Sequence, residues 1–188
     1  SAMKHNKHIK DIVQPEAHPG VNTFFHRQLM AIMSRKKINR SNKALVHWED
    51  VLDDINTLAA EYESEGWETI VLHPGDVSTT VEENAGFRLV VPESELEVLD
   101  EAVKKDEESF SEFELHRAPA ESLLMFVVTV KSDKHDQAIF FPTYYNPEVD
   151  KDFITAVQKQ GAVFTKITNL DQSRQYSFCH SDPALFVP

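Results

Sequence analysis

The chain holds a single cysteine, Cys179, among 188 residues. A lone thiol excludes an intrachain disulfide, and without a CxxC pair or a Cys/His array the zinc-finger class is excluded as well. A reducing, cytoplasmic setting is the expectation. Glycine is scarce too, at five residues. No GxGxxG, P-loop, GxSxG or HExxH pattern occurs, so no motif names a phosphate cradle, a nucleophile elbow or a zinc-protease helix. Long apolar runs are also missing. The longest, Leu123 to Val130, is far below the about 20 residues that cross a bilayer. With no charged leader ahead of an apolar core, a soluble protein with no membrane span is expected. Ser1-Ala2 ahead of Met3 reads as the remnant of a removed tag.

Positive charge is sparse outside one end. Met3 to Lys43 carries six Lys and three Arg against Asp11 and Glu16, a balance of +7, whereas Ala44 to Pro188 sets ten Lys plus Arg against 29 acidic residues, a balance of −19. The acidic part repels nucleic acid and anionic lipid and stays well solvated, as suits a salty cytoplasm. The basic part attracts acidic partners or folds back on its own body. The division suggests a basic N-terminal arm, residues 1–40, and an acidic domain, residues 41–188.

Within the arm, residues 3–20 are polar and contain Pro15, Pro19 and Gly20, which predicts a flexible tail; His5 and His8 there read as solvated rather than metal-binding. Asn22 then caps a helix to about Lys37 that places Phe25, Leu29, Ile32 and Met33 on one side. Its basic end, Arg35, Lys36 and Lys37 with Arg40 beyond, suits the helix dipole. Such a helix can dock on a protein partner, a second copy, a membrane surface or its own domain.

Apolar residues at three- and four-residue steps from Trp48 to Tyr62 predict a long helix between Ser41 and about Glu65, closed by Gly66. Strands follow at Trp67 to Leu72 and Gly86 to Val91, with Ser78 to Ala85 as loop. Ser94 and Glu97 resemble a capping box for a helix burying Leu96, Leu99 and Val103. Phe110 to Arg117 reads as an edge strand ending at Ala118-Pro119-Ala120, and Leu123 to Lys131 as a central strand buried on both faces. A hairpin returns through Gln137 to Phe141, where Pro142 confines the strand to an edge or ends it. Asn146 and Pro147 open a helix that turns Val149, Phe153, Ile154 and Val157 inward and stops at Gly161. Ala162 to Thr168 and Arg174 to His180 complete the outline. The order α-β-β-α-β-β-β-α-β-β predicts an α+β domain built on a single mixed, largely antiparallel sheet, with helices mainly on one face.

Two stretches carry side chains capable of chemistry. In His73-Pro74-Gly75-Asp76 the Pro-Gly pair suits a type II turn that brings the imidazole and the carboxylate together, where they could bind a metal or form a base; the simpler use of Asp76 is to cap local amides. In Cys179-His180-Ser181-Asp182 a strand would turn His180 and Asp182 to one face and Cys179 to the other. If the two stretches meet, His73, Asp76, His180 and Asp182 make a four-group set for zinc or another divalent transition metal. Cys179 itself reads as a buried apolar cysteine rather than a nucleophile. Phe140-Phe141-Pro142-Thr143-Tyr144-Tyr145 offers rings for stacking bases, but in an acidic body it reads as core.

Gly66-Trp67, Leu72-His73-Pro74-Gly75-Asp76-Val77, Tyr144-Tyr145 and Phe178 to Phe186 together resemble a family of small acidic proteins, a domain of unknown function, from halophilic archaea. The resemblance runs from about Trp48 to Phe186 and leaves the basic arm uncovered. It implies a high-salt cytoplasm and no particular activity, cofactor or catalytic residue. The leading expectation is therefore a non-enzymatic interaction or regulatory protein, with Phe25, Leu29, Ile32, Met33, Arg35, Lys36, Lys37 and Arg40 as the docking element for a protein partner or a second copy. A metal-dependent hydrolase built on the His73 and His180 groups, and nucleic-acid binding through the arm, are the alternatives.

Overall fold

Leu123–Ser132 (β6) lies at the heart of the molecule, with every residue but Lys131 buried, as its unbroken apolar character predicts. The computed structural model describes residues 6–8 and 38–188, with side chains from His47 onward except those of Ala118 and Pro119. The expected amphipathic helix from Asn22 to Lys37 lies outside the described residues. Asn6–His8 (β1), inside the predicted tail, instead forms a short strand.

In chain order the remaining elements are α1 (Ile38–Ser64), β2 (Glu68–Val71), β3 (Asp76–Thr80), β4 (Gly86–Val90), α2 (Glu93–Val103), β5 (Glu112–Ala120), β6, β7 (Gln137–Tyr145), α3 (Lys151–Gln160), β8 (Val163–Thr168) and β9 (Gln175–His180). They confirm an α+β fold, but the single sheet is replaced by two. One has the order β1-β5-β6-β7-β2 and the other β3-β4-β8-β9. Both are mixed: β5, β6 and β7 form an antiparallel meander, while β2 joins β7 and β4 joins β8 in parallel. The expected order lacked β3. Its sequence Asp-Val-Ser-Thr-Thr buries only Val77 and so resembles loop, yet its β-branched residues suit a pleated strand.

The chain passes from one sheet to the other at Leu72 to Gly75. Leu72 N–H still donates to Phe140 O of the larger sheet, at 2.9 Å, whereas Gly75 N–H donates to Val90 O of the smaller, at 2.8 Å. The type II turn is therefore absent. Positive φ occurs at Gly66 and Gly161, which end α1 and α3 as expected, but not at Gly75.

Pro142 does not end β7, which pairs with β6 as far as Leu124↔Tyr145. Phe140 turns its backbone toward β2, and Pro142, two residues on, turns to the same side. There β2 has already stopped at the Val71↔Phe140 pair, so the missing N–H costs no ladder bond. Nor does Pro119 break β5, which runs to Ala120; the chain reverses at Glu121, with φ 56°.

One apolar cluster fills the space between the sheets and continues through the larger sheet to the buried side of α1. Phe87 of β4 meets Phe126 of β6 at 6.2 Å and Phe153 of α3 at 5.1 Å, and Phe153 reaches Tyr145 of β7 at 4.8 Å. Helix α2 buries Leu96, Leu99 and Val103 as predicted, but Ser94 makes no cap, because the helix starts one residue earlier at Glu93 with Pro92 as N-cap. Helix α3 buries Phe153 and Val157, whereas Val149 precedes the helix and is exposed. Asn146 satisfies the amides of Glu148 and Val149 through its side-chain oxygen.

Helix α1 covers the opposite face of the larger sheet, so the helices do not share one face. Trp48 packs edge-on to Tyr144 at 5.7 Å, Tyr62 does the same to Phe140 at 5.2 Å, and Tyr62 donates its hydroxyl hydrogen bond to Glu114 Oε2 at 2.6 Å. No helix among the described residues is long and apolar enough to cross a membrane.

Candidate functional site

His73 sits on the crossing between the sheets, a position fixed by backbone bonds on both sides of it. Its partner is Glu95, in the first turn of α2, where a carboxylate is favoured by the helix dipole. His73 N–H donates to Glu95 Oε1 at 2.6 Å, and the ring Nδ1 lies 2.8 Å from Oε2. One carboxylate thus holds both the backbone and the ring, and about a fifth of each side chain remains accessible, 20% and 22%. An imidazole oriented at Nδ1 by a carboxylate is one component of general-base sites. The same contact is also a clamp joining α2 to the crossing.

Asp76 opens β3 close to Tyr144, and the neighbourhood is unfavourable to negative charge. Burial first, and the Asp76 carboxylate second, push the Tyr144 phenol up to about 12. Tyr144 is therefore a packing surface for Trp48 that keeps its proton at neutral pH.

His180 has a different setting. It is 1% exposed and packed between Phe113 at 4.8 Å and Phe186 at 5.6 Å. Its Nε2 lies 2.9 Å from Thr165 Oγ1, while Nδ1 has no hydrogen-bond partner. Burial depresses it to about 3, so it is neutral. Asp182 N-caps the short turn Pro183–Leu185, its carbonyl accepting from Leu185 N–H at 3.3 Å. Cys179 faces away from His180 as alternation predicts, but it is exposed rather than buried, and partial desolvation pushes its thiol up. That is the wrong direction for a nucleophile.

The structure does not bring His73, Asp76, His180 and Asp182 together. Asp76, Val90, Thr168 and Gln175 form one cross-strand row, and His180 lies five residues farther along β9. Three strand spacings across and five residues along separate Asp76 from His180 by about 20 Å. Among the described residues no group of three or more His, Cys, Asp or Glu is arranged to hold a metal ion.

The aromatic run on β7 is core, as its sequence reading favoured: Phe140, Phe141 and Tyr145 are buried, and the Tyr145 hydroxyl donates to Phe186 O at 2.5 Å. Phe25, Leu29, Ile32, Met33, Arg35, Lys36 and Lys37 lie outside the described residues. Arg40 falls on the first turn of α1.

Sequence reasoning missed Glu95, because no spacing rule links residue 73 to a helix that begins after the next hairpin. It also missed the outward face of the smaller sheet, where strand register alone sets Arg88 beside Lys166.

Residues 35–188 match the family of unknown function DUF7529. No curated protein and no solved structure matches the chain.

Proposed function

The chain belongs to the family of unknown function DUF7529 and takes no activity from it, and we propose that it is a non-catalytic binding protein. In this reading the acidic α+β body presents the basic N-terminal segment, and Phe25, Leu29, Ile32, Met33, Arg35, Lys36, Lys37 and Arg40 dock on an acidic protein surface. The observation that carries it is the charge division, +7 in residues 3–43 against −19 in residues 44–188. Charge complementarity makes the body of a second copy the occupant of choice.

The placement of α1 supports the same reading. Arg35, Lys36 and Lys37 immediately precede Ile38, the first residue of α1, and Trp48 of that helix packs against the penultimate residue of β7. At 1.5 Å per residue the intervening ten residues span about 15 Å, so the basic cluster is joined to a rigid helix rather than to a slack linker.

The test replaces Arg35, Lys36, Lys37 and Arg40 with Gln in the full chain and follows self-association by sedimentation over a range of concentration and salt. The parent should associate more strongly than the variant, and the difference should shrink as salt rises. A parent that stays monomeric throughout, or a variant that associates equally well, removes this reading.

A further inference from the structure

The four-stranded sheet has one face in the core and one that no described helix covers. Helix α3 meets Phe87 and α2 meets Tyr176, both on the inner face, and α1 lies on the other sheet. Register sets the outer face as a grid. Thr80, Gly86, Phe164 and Cys179 form one row, Ser78, Arg88, Lys166 and Ser177 the next, and Asp76, Val90, Thr168 and Gln175 the third. Two cations therefore stand side by side in the middle of the sheet, one row from an aromatic ring, on a body of net charge −19. The ion pairs among the described residues do not include Arg88. Lys166 donates only to a backbone carbonyl, Glu83 O, at 3.2 Å.

Gly86 is next to Phe164 because nothing larger fits. A Cβ there would come within 1.8 Å of Phe164 O.

We propose that this open face binds single-stranded nucleic acid, stacking a base on Phe164 and setting the adjoining phosphates against Arg88 and Lys166. Rows of one face are about 7 Å apart along a strand, so a base on Phe164 has its own phosphates within reach of both cations. Base stacking on an aromatic ring combined with flanking positive charge is the physics of sequence-tolerant single-strand recognition, and the hydroxyls of Ser78, Thr80 and Ser177 add donors for the backbone. An acidic peptide would satisfy the cations but has no flat group for the ring. A second copy would find too little surface: three rows by four strands offer about 400 Å², against the about 800 Å² per partner of a stable interface. Duplex bases are already stacked on one another and offer Phe164 nothing.

Fluorescence anisotropy of a labelled oligo-deoxythymidylate with the full chain tests the proposal. With two phosphates engaged, log affinity should fall against log salt with a slope near about −1.4, and Arg88→Gln or Lys166→Gln should each reduce that slope by about 0.7. Phe164→Leu should weaken binding by about 5- to 100-fold and leave the slope alone. Should Phe164→Leu fail to fold by circular dichroism, the two polar variants decide the matter. Three outcomes overturn the proposal: no binding, binding equal in all three variants and the parent, or displacement of the oligonucleotide by poly-glutamate as effectively as by unlabelled oligonucleotide.

Discussion

Asp54 is the residue whose replacement most directly probes how α1 is held. It lies on α1 at 4% exposure, and its Oδ1 has no hydrogen-bond partner. Burial first, then the charges of Asp50 and Asp53, raise its carboxyl from the ordinary 3.8 to about 7. The folded state therefore holds this proton more tightly than the unfolded chain does. Stability is at its fullest below about pH 4 and is lost as pH rises through about 7. A displacement of about three units corresponds to about 4 kcal/mol across that window. Asp54→Asn keeps the shape and removes the ionisation. Urea unfolding of parent and variant at a series of pH values should show the advantage of the variant growing by about 1.4 kcal/mol per pH unit, then levelling above neutrality. Asp53, raised in the same direction, is present in both proteins, and its own titration cancels from their difference. A difference between the two proteins that is the same at every pH would refute the reasoning, because it would mean that Asp54 is charged at no cost or never charged at all.

Two further outcomes follow from the two-sheet core. His180 is held neutral, with its value lowered to about 3, so its contribution is intact above about pH 6.5 and is lost as pH falls; at pH 5 this amounts to about 2 kcal/mol. His180→Phe, which preserves packing against Phe113 and Phe186, should move the acid-unfolding midpoint to lower pH, as followed by tryptophan fluorescence. Gly86→Ala forces a Cβ into Phe164 O and should cost about 1–3 kcal/mol by separating β4 from β8; an unchanged thermal midpoint would show that the close approach of these strands is not needed.

What the sequence made legible was local. The buried character of Leu123–Ser132, the hairpin that follows it, the inward faces of α2 and α3 and the β8–β9 pair all show in the pattern of apolar residues over a few turns or pleats. The division into two sheets did not, because it depends on which strand accepts which. Nothing in Gly86–Val90 says that it pairs with Val163–Thr168 rather than with Glu68–Val71. The same holds at the sites. His180 and Cys179 were correctly assigned to opposite faces by alternation, yet burial of one and exposure of the other needed the tertiary arrangement. His73 was legible as a polar group beside a Pro-Gly pair, but the carboxylate of Glu95 that clamps it was not, since the expected turn gave way to a crossing anchored at Leu72 and Gly75.

The parallel pairing of β4 with β8 also has a meaning for the order in which the protein is made. Gly86 must wait for Phe164, almost eighty residues later, before its strand acquires a second neighbour. During synthesis the β3–β4 hairpin therefore emerges with one edge unsatisfied, while β5, β6 and β7 can close on one another as soon as they leave the ribosome. The larger sheet is the natural first-formed half and the smaller sheet the one completed last. A dense negative charge on the growing chain keeps such waiting edges of neighbouring molecules apart, so the acidity that solvates the finished body also guards its assembly.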